Sequence, residues 1–286
     1  MLTGLLALWA CVGASSPAAP QGGISRRHHP WGCFEVGAWA RVRVVSETFD
    51  AERTITSVFQ TKTSLVKSED DGVTLQIETA VEVGGREVRR EPQTVKQGWQ
   101  GELANENVKI TQLAPGEVTL QGRRIPCKIE QLERVTPTGK TTTRIFYSDS
   151  FPPYLLRRET TRTDPEGKTQ IGQTTVEVVE VDVPCRLLAR IWNTYHVKRV
   201  STHARGRSTT LSVISPRVPG GVIRQDSEEY DSEGRLTSRS SLELVDFGLE
   251  PEQEWTGLLR RRRSPRFRQR YRVAPYWYQV PGDEPR

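Results

Sequence analysis

The chain has 286 residues, a mass of 32.3 kDa and a net charge of +6, with 35% hydrophobic and 27% charged residues. A mean hydropathy of −0.57 and the confinement of long apolar runs to the N-terminus exclude a bundle of membrane helices. The aliphatic and aromatic residues suffice for a folded core, which excludes wholesale disorder.

Residues 1–14 have the character of an export signal. The apolar run from Leu2 to Cys11 is too short to span a bilayer, and small residues follow it, so we expect cleavage after Ala14. Leu8-Trp-Ala-Cys11 partly matches a bacterial lipobox, which makes a lipoprotein signal to Cys11 the alternative. No basic residue precedes the run, so a start further upstream is a third reading. We predict an exported protein of the periplasm or cell envelope, lipid-anchored under the alternative.

Residues 15–32 are rich in Ser, Pro, Ala and Gly near their start and show no periodicity. This composition is typical of a flexible linker. We therefore expect His28 and His29, which fall within it, to be solvated.

Three cysteines follow the signal: Cys33, Cys127 and Cys185. None forms a Cys-x-x-Cys pair or lies near a histidine at metal-ligand spacing, so we expect no zinc site and no metal. Cys127 and Cys185 share an apolar-Pro-Cys-basic context, so a disulfide between them is one interpretation, and it would contribute on the order of 4 kcal/mol. In the alternative they are equivalent buried positions of a repeat that never meet, and Cys33 is a competing partner.

Strand-like patterns begin after Cys33. Alternation of small or apolar with basic residues runs over 38–44, a Thr- and Val-rich stretch covers 54–66, and strict apolar–polar alternation covers 73–83. Gly-containing turns punctuate the chain between these stretches. Helical periodicity is confined to two short candidates, at 92–103 and 252–260.

An internal duplication is the most informative feature. Residues 151–168 match 218–235 at a shift of 67, including the turn sequence Asp-x-Glu-Gly-Lys/Arg. Residues 176–183 match 242–249 at a shift of 66, with the same apolar and acidic order. In both repeats Gly supplies a positive φ and Asp holds a hairpin turn. The apolar phase changes within 176–183, which predicts a β-bulge or a strand covered on both faces.

These patterns predict an all-β fold. We expect one antiparallel, strongly twisted sheet, or a half-open barrel, of long hairpin-connected strands with an internal duplication. The domain would span 33–250, with repeat units of about 125–182 and 183–249, followed by a tail over 251–286.

A family resemblance is carried by Phe146-Tyr-Ser-Asp-Ser-Phe-Pro-Pro-Tyr-Leu-Leu-Arg-Arg158, an aromatic strand followed by prolines and an apolar–basic strand. With export and long meandering strands, it resembles the LolA/LolB-like bacterial envelope proteins and similar uncharacterised secreted β-proteins, over about 36–250. The resemblance implies a half-open β-barrel whose hydrophobic concave face holds acyl chains. It assigns no functional residue, so the ligand-binding residues stay unassigned.

The motifs of the commonest catalytic sites are missing from the sequence. There is no Gly-x-Ser-x-Gly elbow and no phosphate-cradling Gly loop, so we expect no catalytic residue and no cofactor. An enzyme of unknown class is retained as an alternative, with His196 or His203 beside a carboxylate.

The tail places eight arginines within thirteen residues. They are Arg260, Arg261, Arg262, Arg263, Arg266, Arg268, Arg270 and Arg272. Without them the net charge would be about −2. Arginines followed by aromatics suit an anionic membrane or envelope polymer, and export argues against nucleic acid. A solvated tail, or one whose aromatic tip folds back onto the body, is the alternative.

Two non-catalytic functions follow. In the first, a curved sheet binds an apolar ligand, lipid or acyl chain, so Val73, Leu75 and Ile77 line an empty concavity. In the second, a structural or interaction protein of the envelope has a filled core, so other side chains seal those residues, and its basic aromatic tail tethers it. Oligomeric state is left open.

Overall fold

The computed structural model describes residues 23–50, 53–83, 86–103, 107–187 and 190–251. Within them lie fourteen strands and one short 3-10 turn, Arg26–His28. The strands are β1 (Trp39–Phe49), β2 (Thr54–Glu69), β3 (Gly72–Val83), β4 (Arg86–Arg89), β5 (Gln93–Gly98), β6 (Val108–Leu120), β7 (Arg123–Thr136), β8 (Gly139–Tyr147), β9 (Leu155–Thr163), β10 (Gln170–Leu187), β11 (Arg190–His203), β12 (Gly206–Ile214), β13 (Val222–Asp231) and β14 (Leu236–Gly248).

The candidate helix at 92–103 does not form, because residues 93–98 pair with β3 as a strand. The candidate at 252–260 lies outside the described residues. In the part of the chain that the structure describes, no helix is long and apolar enough to cross a membrane.

The strands form one antiparallel sheet in the order β4-β3-β2-β1-β14-β13-β12-β11-β10-β9-β8-β7-β6, with β5 also on β3. Within this order, neighbouring strands are consecutive in sequence except β1 and β14, the first and last strands, which pair over Trp39 to Thr48. The order has two ends, so the sheet does not close on itself. The predicted all-β, antiparallel, hairpin-connected fold is confirmed, in its open form.

The duplicated turns share a hydrogen bond from the fourth residue after the aspartate to its carboxylate. The Asp164 carboxylate accepts the backbone N–H of Lys168 at 2.8 Å, and that of Asp231 accepts the N–H of Arg235 at 2.9 Å. Gly167 and Gly234 have φ of +74° and +81°, the left-handed region that favours glycine. A bulge follows in each unit, after Val178 in β10 and after Leu244 in β14. The phase change read from the sequence is therefore a β-bulge.

The two faces of the sheet differ in chemistry. We call the face that carries buried Val44, Leu75 and Val197 the inner face, and the opposite one the outer face. The outer face carries ion pairs: Arg239–Glu47, Arg224–Asp226, Lys140–Glu133 and Arg157–Glu159. These pairs are half-buried to exposed, so each stabilises the fold little. The inner face carries the buried apolar clusters around Val44, Leu75 and Val197.

Two pieces of chain cover the inner face. The end of the β6–β7 hairpin, beyond a bulge between Leu113 and Gly116, forms one buried cluster with β10–β12. That cluster includes Val118, Leu120, Ile125, Cys127, Val176, Val178, Val197 and Ile214. The other piece is residues 24–34, which we call the N-terminal strap.

The strap corrects the linker prediction, because residues 24–32 are packed against the sheet. Ile24 forms a buried cluster with Leu132, Ile145 and Tyr147 of β7 and β8. Trp31 and Phe34 belong to a second cluster, with side chains of β1, β2 and β3. A few large apolar residues among small and polar ones, spaced without periodicity, suffice to anchor an irregular segment. The rest of the predicted linker, 15–22, lies outside the described residues.

Candidate functional site: the inner face

The strap seals the apolar end of the inner face. Val73 and Leu75 are 0% exposed, and they pack in the cluster that contains Trp31 and Phe34. Trp31 is 3% exposed and also lies against the β12–β13 loop, where a Cβ added to Gly220 would stand 2.9 Å from its ring. Val73 and Leu75 therefore belong to a filled core, whereas Ile77, the third residue of that prediction, is half-buried.

A buried carboxylate holds the start of the strap. Glu130 is 2% exposed, and its Oε1 accepts the backbone N–H of Ile24 at 2.9 Å. The Tyr147 hydroxyl lies 3.4 Å from the same oxygen. Burial, reinforced by the Glu130 charge, raises the pKa of Tyr147 to about 12. Tyr147 therefore remains a neutral donor throughout the physiological range.

His28 anchors the middle of the strap. Its Nδ1 accepts the backbone N–H of Ser25 at 3.0 Å and lies 3.1 Å from the Ser25 hydroxyl, while Nε2 lies 3.3 Å from Asp149 Oδ1. Asp149 also pairs with Arg27, and with Lys128 at 2.8 Å. Lys128 is the main cause of the lowered Asp149 pKa, whereas burial lowers the pKa of His28.

Ser25, His28 and Asp149 stand in the order of a serine triad, but their contacts fit a cap. The Nδ1 lone pair of His28 already accepts the Ser25 N–H, so it is not available to take the hydroxyl proton. The arrangement caps the 3-10 turn and ties it to Asp149 across the sheet.

His29 is the more deeply buried histidine, at 3% exposure. Its Nδ1 accepts the Trp31 N–H at 3.2 Å, and its ring meets Trp99 edge-on at 5.6 Å. Burial lowers the pKa of His29 to about 3. The prediction that both strap histidines are solvated is therefore wrong. Neighbouring apolar side chains, which the composition of the segment did not reveal, exclude water from them.

The structure does not bring His196 and His203 together. They lie seven residues apart on β11 and so on opposite faces. His196 Nδ1 is 2.8 Å from Glu180 Oε2 on the outer face. His203 lines an open depression of about 500 Å³ at the hairpin tips, with Tyr230 and Asp231. The two histidines therefore do not form one site.

The predicted disulfide between Cys127 and Cys185 is not formed, since Cys33, Cys127 and Cys185 are all free. Cys127 lies in the cluster under the β6–β7 hairpin, whereas Cys185 packs against a different cluster, around Leu187 and Val218. The similar sequence contexts do not mark neighbouring positions, since Cys127 lies near the start of β7 and Cys185 near the end of β10.

A reducing agent is therefore expected to leave the melting temperature unchanged. Thiol titration of the urea-unfolded protein, without reductant, should count Cys33, Cys127 and Cys185 as reactive. If two of the three thiols were unreactive and reduction lowered the melting temperature, the protein would contain a disulfide. The Cys127→Ser variant is the matched control for the packing of that residue.

The predicted anionic-surface contact, Arg260 to Arg272, lies outside the described residues. Among the described residues, no cluster of His, Cys, Asp and Glu could hold a metal ion.

Sequence analysis missed a polar zone on the inner face beside the apolar clusters. Hydroxyl residues lie opposite one another across five strands, in the order Thr143, Thr160, Thr174, Ser201, Ser208. Two adjacent pairs are hydrogen-bonded, Thr143 to Thr160 at 3.1 Å and Thr174 to Ser201 at 2.8 Å. This hydroxyl row is half-buried to buried.

Four arginines flank the hydroxyl row on the same face. Arg158 and Arg199 lie opposite the buried Val176 from either side, and Arg134 and Arg162 lie opposite Thr141. We call the row and these arginines the arginine–hydroxyl patch. The alternation Arg158-x-Thr160-x-Arg162 in β9 is the signal that could have revealed it. The patch residues on the other strands could not be found in this way, because a local sequence pattern does not show which strands pair.

No protein-family model matches the chain, and no curated protein matches it. Solved structures resemble it only distantly. A predicted exported protein with a YmcC-like fold from Bacteroides fragilis is 9% identical, with a TM-score of 0.30, over 75% of this chain and 97% of that one. A DUF1329 family protein from Desulfovibrio piger is 10% identical, with a TM-score of 0.30, over 77% and 88%.

A predicted outer membrane lipoprotein-sorting protein domain from Vibrio parahaemolyticus is 9% identical, with a TM-score of 0.27, over 78% of this chain and 86% of that one. This description falls in the lipoprotein-sorting group that the sequence resembles. Likenesses at such TM-scores carry no argument about function, which is therefore argued from this chain's own residues.

Proposed function

We propose that the protein is a non-catalytic, exported interaction protein of the cell envelope, with a filled core and an anionic envelope component as its partner. The observation that carries the proposal is the complete burial of Val73 and Leu75 beneath the strap. An acyl-chain carrier needs those side chains free to meet a ligand.

The distribution of charge supports an anionic partner. The eight tail arginines change the net charge from about −2 to +6, so the basic character of the protein is concentrated there. Each basic residue near an anionic surface contributes about 1 kcal/mol. In this proposal the tail is the segment that contacts the anionic envelope component.

A second candidate is an acyl-chain carrier whose ligand displaces the strap. It is favoured by the polar groups that hold the strap, Glu130, His28 and His29, which apolar packing alone would not need. In that case Ile24, Trp31 and Phe34 occupy the place of the ligand.

Native mass spectrometry of the full-length mature protein, purified from a bacterial envelope without detergent, separates the two candidates. We expect the mass of the protein alone. A reproducible extra mass of lipid size, lost on denaturation, would favour the carrier and contradict the filled core.

Vesicle sedimentation tests the partner. The full chain should sediment with anionic vesicles and not with neutral ones. A full-length variant with the eight tail arginines changed to glutamine should lose most of this binding, because the charge rather than the length of the tail is removed. Equal sedimentation of both proteins would refute tail tethering.

A further inference from the structure

We propose that the inner face of β1, β2 and β12–β14 is a binding site for an extended, neutral glycan chain. Hydroxyl side chains that lie opposite one another across these five strands form the site. The inference rests on the cross-strand register, on buried hydroxyl groups without partners and on the low charge of the lining. It is independent of the tail and of the anionic partner proposed above.

A row of hydroxyl side chains crosses all five strands. Its members lie directly opposite one another, in the order Ser57, Ser46, Ser240, Ser227, Thr210. We call these five residues the serine row. The row lies on the inner face, because Ser46 follows the buried Val44 by two residues in β1. Neighbouring strands are about 4.8 Å apart, so the row spans about 19 Å.

A second row runs beside the serine row, two residues further along each strand. Its members are Ile55, Thr48, Ser238, Glu229 and Ser208. The three hydroxyl residues of this second row are half-buried, and Ile55 is 40% exposed. The second row is therefore the side from which a ligand can enter. Ser208 is also the last member of the hydroxyl row, so the two polar zones are continuous.

Two buried hydroxyls on this face lack hydrogen-bond partners. Ser57 is 0% exposed, and its Oγ has no partner among the described residues. Ser212 follows Thr210 by two residues in β12 and is 2% exposed, and its Oγ has no partner in that part of the chain either. A hydroxyl that is buried and unpaired costs stability. A ligand that supplies donors and acceptors would offset this cost, so the two side chains point to a ligand.

The lining carries little charge. Among the ten residues of the two rows, Glu229 is the charged one, and its carboxylate accepts the Ser238 hydroxyl at 2.9 Å. Arg199 lies opposite Thr210 on β11, has a partner of its own and ends the site on that side. A carboxylate repels an anion, and one that is already hydrogen-bonded is a poor site for a cation. The lining therefore fits an uncharged ligand.

A neutral glycan chain matches these features. Its hydroxyls donate and accept hydrogen bonds, as those of serine and threonine do. Its repeating units are similar in length to the spacing between strands, so successive units can meet successive members of the serine row. The exposed Ile55 can pack against the apolar face of a sugar ring. An extended, β-linked chain fits a straight row better than a coiled, α-linked chain.

The test measures the binding of two hexasaccharides to the full-length mature protein by calorimetry. Chitohexaose is β-linked and extended, whereas maltohexaose is α-linked and coiled. Ser46→Ala and Ser240→Ala each remove one hydroxyl from the serine row. Ser241→Ala removes one from the outer face of β14 and is the matched control.

We expect chitohexaose to bind more tightly than maltohexaose. Each serine-row variant should weaken this binding about fivefold, the loss of one hydrogen bond, and Ser241→Ala should leave it unchanged. Absence of chitohexaose binding would overturn the proposal, as would equal affinity of the row variants and the control. Tighter binding of maltohexaose would contradict the extended geometry and overturn it too.

Ser57→Ala separates a role in binding from a role in the fold. Because the Ser57 hydroxyl has no partner among the described residues, its removal should leave the melting temperature unchanged or raise it. The same variant should bind chitohexaose about fivefold more weakly. A lower melting temperature with unchanged affinity would mean that the hydroxyl is satisfied within the protein, and would overturn the proposal.

The tail variant shows whether this proposal and the proposed function fail separately. The protein with the eight tail arginines changed to glutamine should bind chitohexaose as tightly as the unchanged protein, at low and at high salt, because the ligand is uncharged. Loss of chitohexaose binding in that variant would assign the binding to the tail and overturn the glycan site.

Discussion

Replacing Trp31 with alanine is expected to lower the free energy of unfolding by about 3–5 kcal/mol. Trp31 is 3% exposed, and its removal leaves a cavity between the strap and β1–β3. Urea unfolding followed by circular dichroism measures the loss. The same variant should gain binding of an apolar dye, because Val73 and Leu75 become accessible.

Two further variants serve as comparisons for Trp31→Ala. Ile191 is 76% exposed, and Ile191→Ala should change stability by less than about 0.5 kcal/mol. Gly220→Ala should destabilise through the same contact, since its new Cβ would meet the Trp31 ring and its φ of +76° disfavours alanine. A loss below about 1 kcal/mol for Trp31→Ala would mean that the strap is not part of the core, because a buried aromatic side chain contributes more.

Stability is expected to fall as the pH drops below 6.5. Burial holds the pKa of His29 at about 3 in the folded protein, against its usual 6.5. Below pH 6.5 the unfolded chain binds a proton that the folded protein does not, so unfolding becomes easier. The loss from this side chain is about 1.4 kcal/mol at pH 5.5 and approaches about 4–5 kcal/mol near pH 3. His28, whose pKa burial also lowers, acts in the same direction.

Urea unfolding between pH 7 and pH 5.5 measures this effect above the range in which most carboxylates titrate. His29→Gln keeps an acceptor for the Trp31 N–H and removes the titration. Its stability should depend less on pH than that of the unchanged protein. If the stabilities of the two proteins depended equally on pH, a group other than His29 would take up the proton on unfolding.

The features predicted correctly from the sequence are those with local causes. The turns at Asp164 and Asp231 follow from side-chain and glycine chemistry within five residues, and the bulge after Val178 follows from a phase change within one strand. Such features need no knowledge of distant partners.

The features that were missed depend on distant residues. The composition before Cys33 is that of a linker, and its burial depends on side chains of β1–β3, β7 and β8. The arginine–hydroxyl patch is spread over β7–β12, so one strand alone shows at most three of its members. The possible pairing of Cys127 and Cys185 was inferred from a shared local sequence context, which carries no information on the distance between β7 and β10.

The pairing of the first strand with the last also determines the order in which the fold can be completed. Ser46 of β1 lies opposite Ser240 of β14, about 190 residues later in the chain. One edge of β1 has no neighbour until β14 is in place, so a chain emerging from its N-terminus carries an open strand edge through most of its synthesis or export. The β1–β14 ladder is then the step that joins two separately formed meanders. Variants that weaken the β1–β14 ladder should therefore slow the folding of the whole chain. They should leave the local stability of each meander little changed.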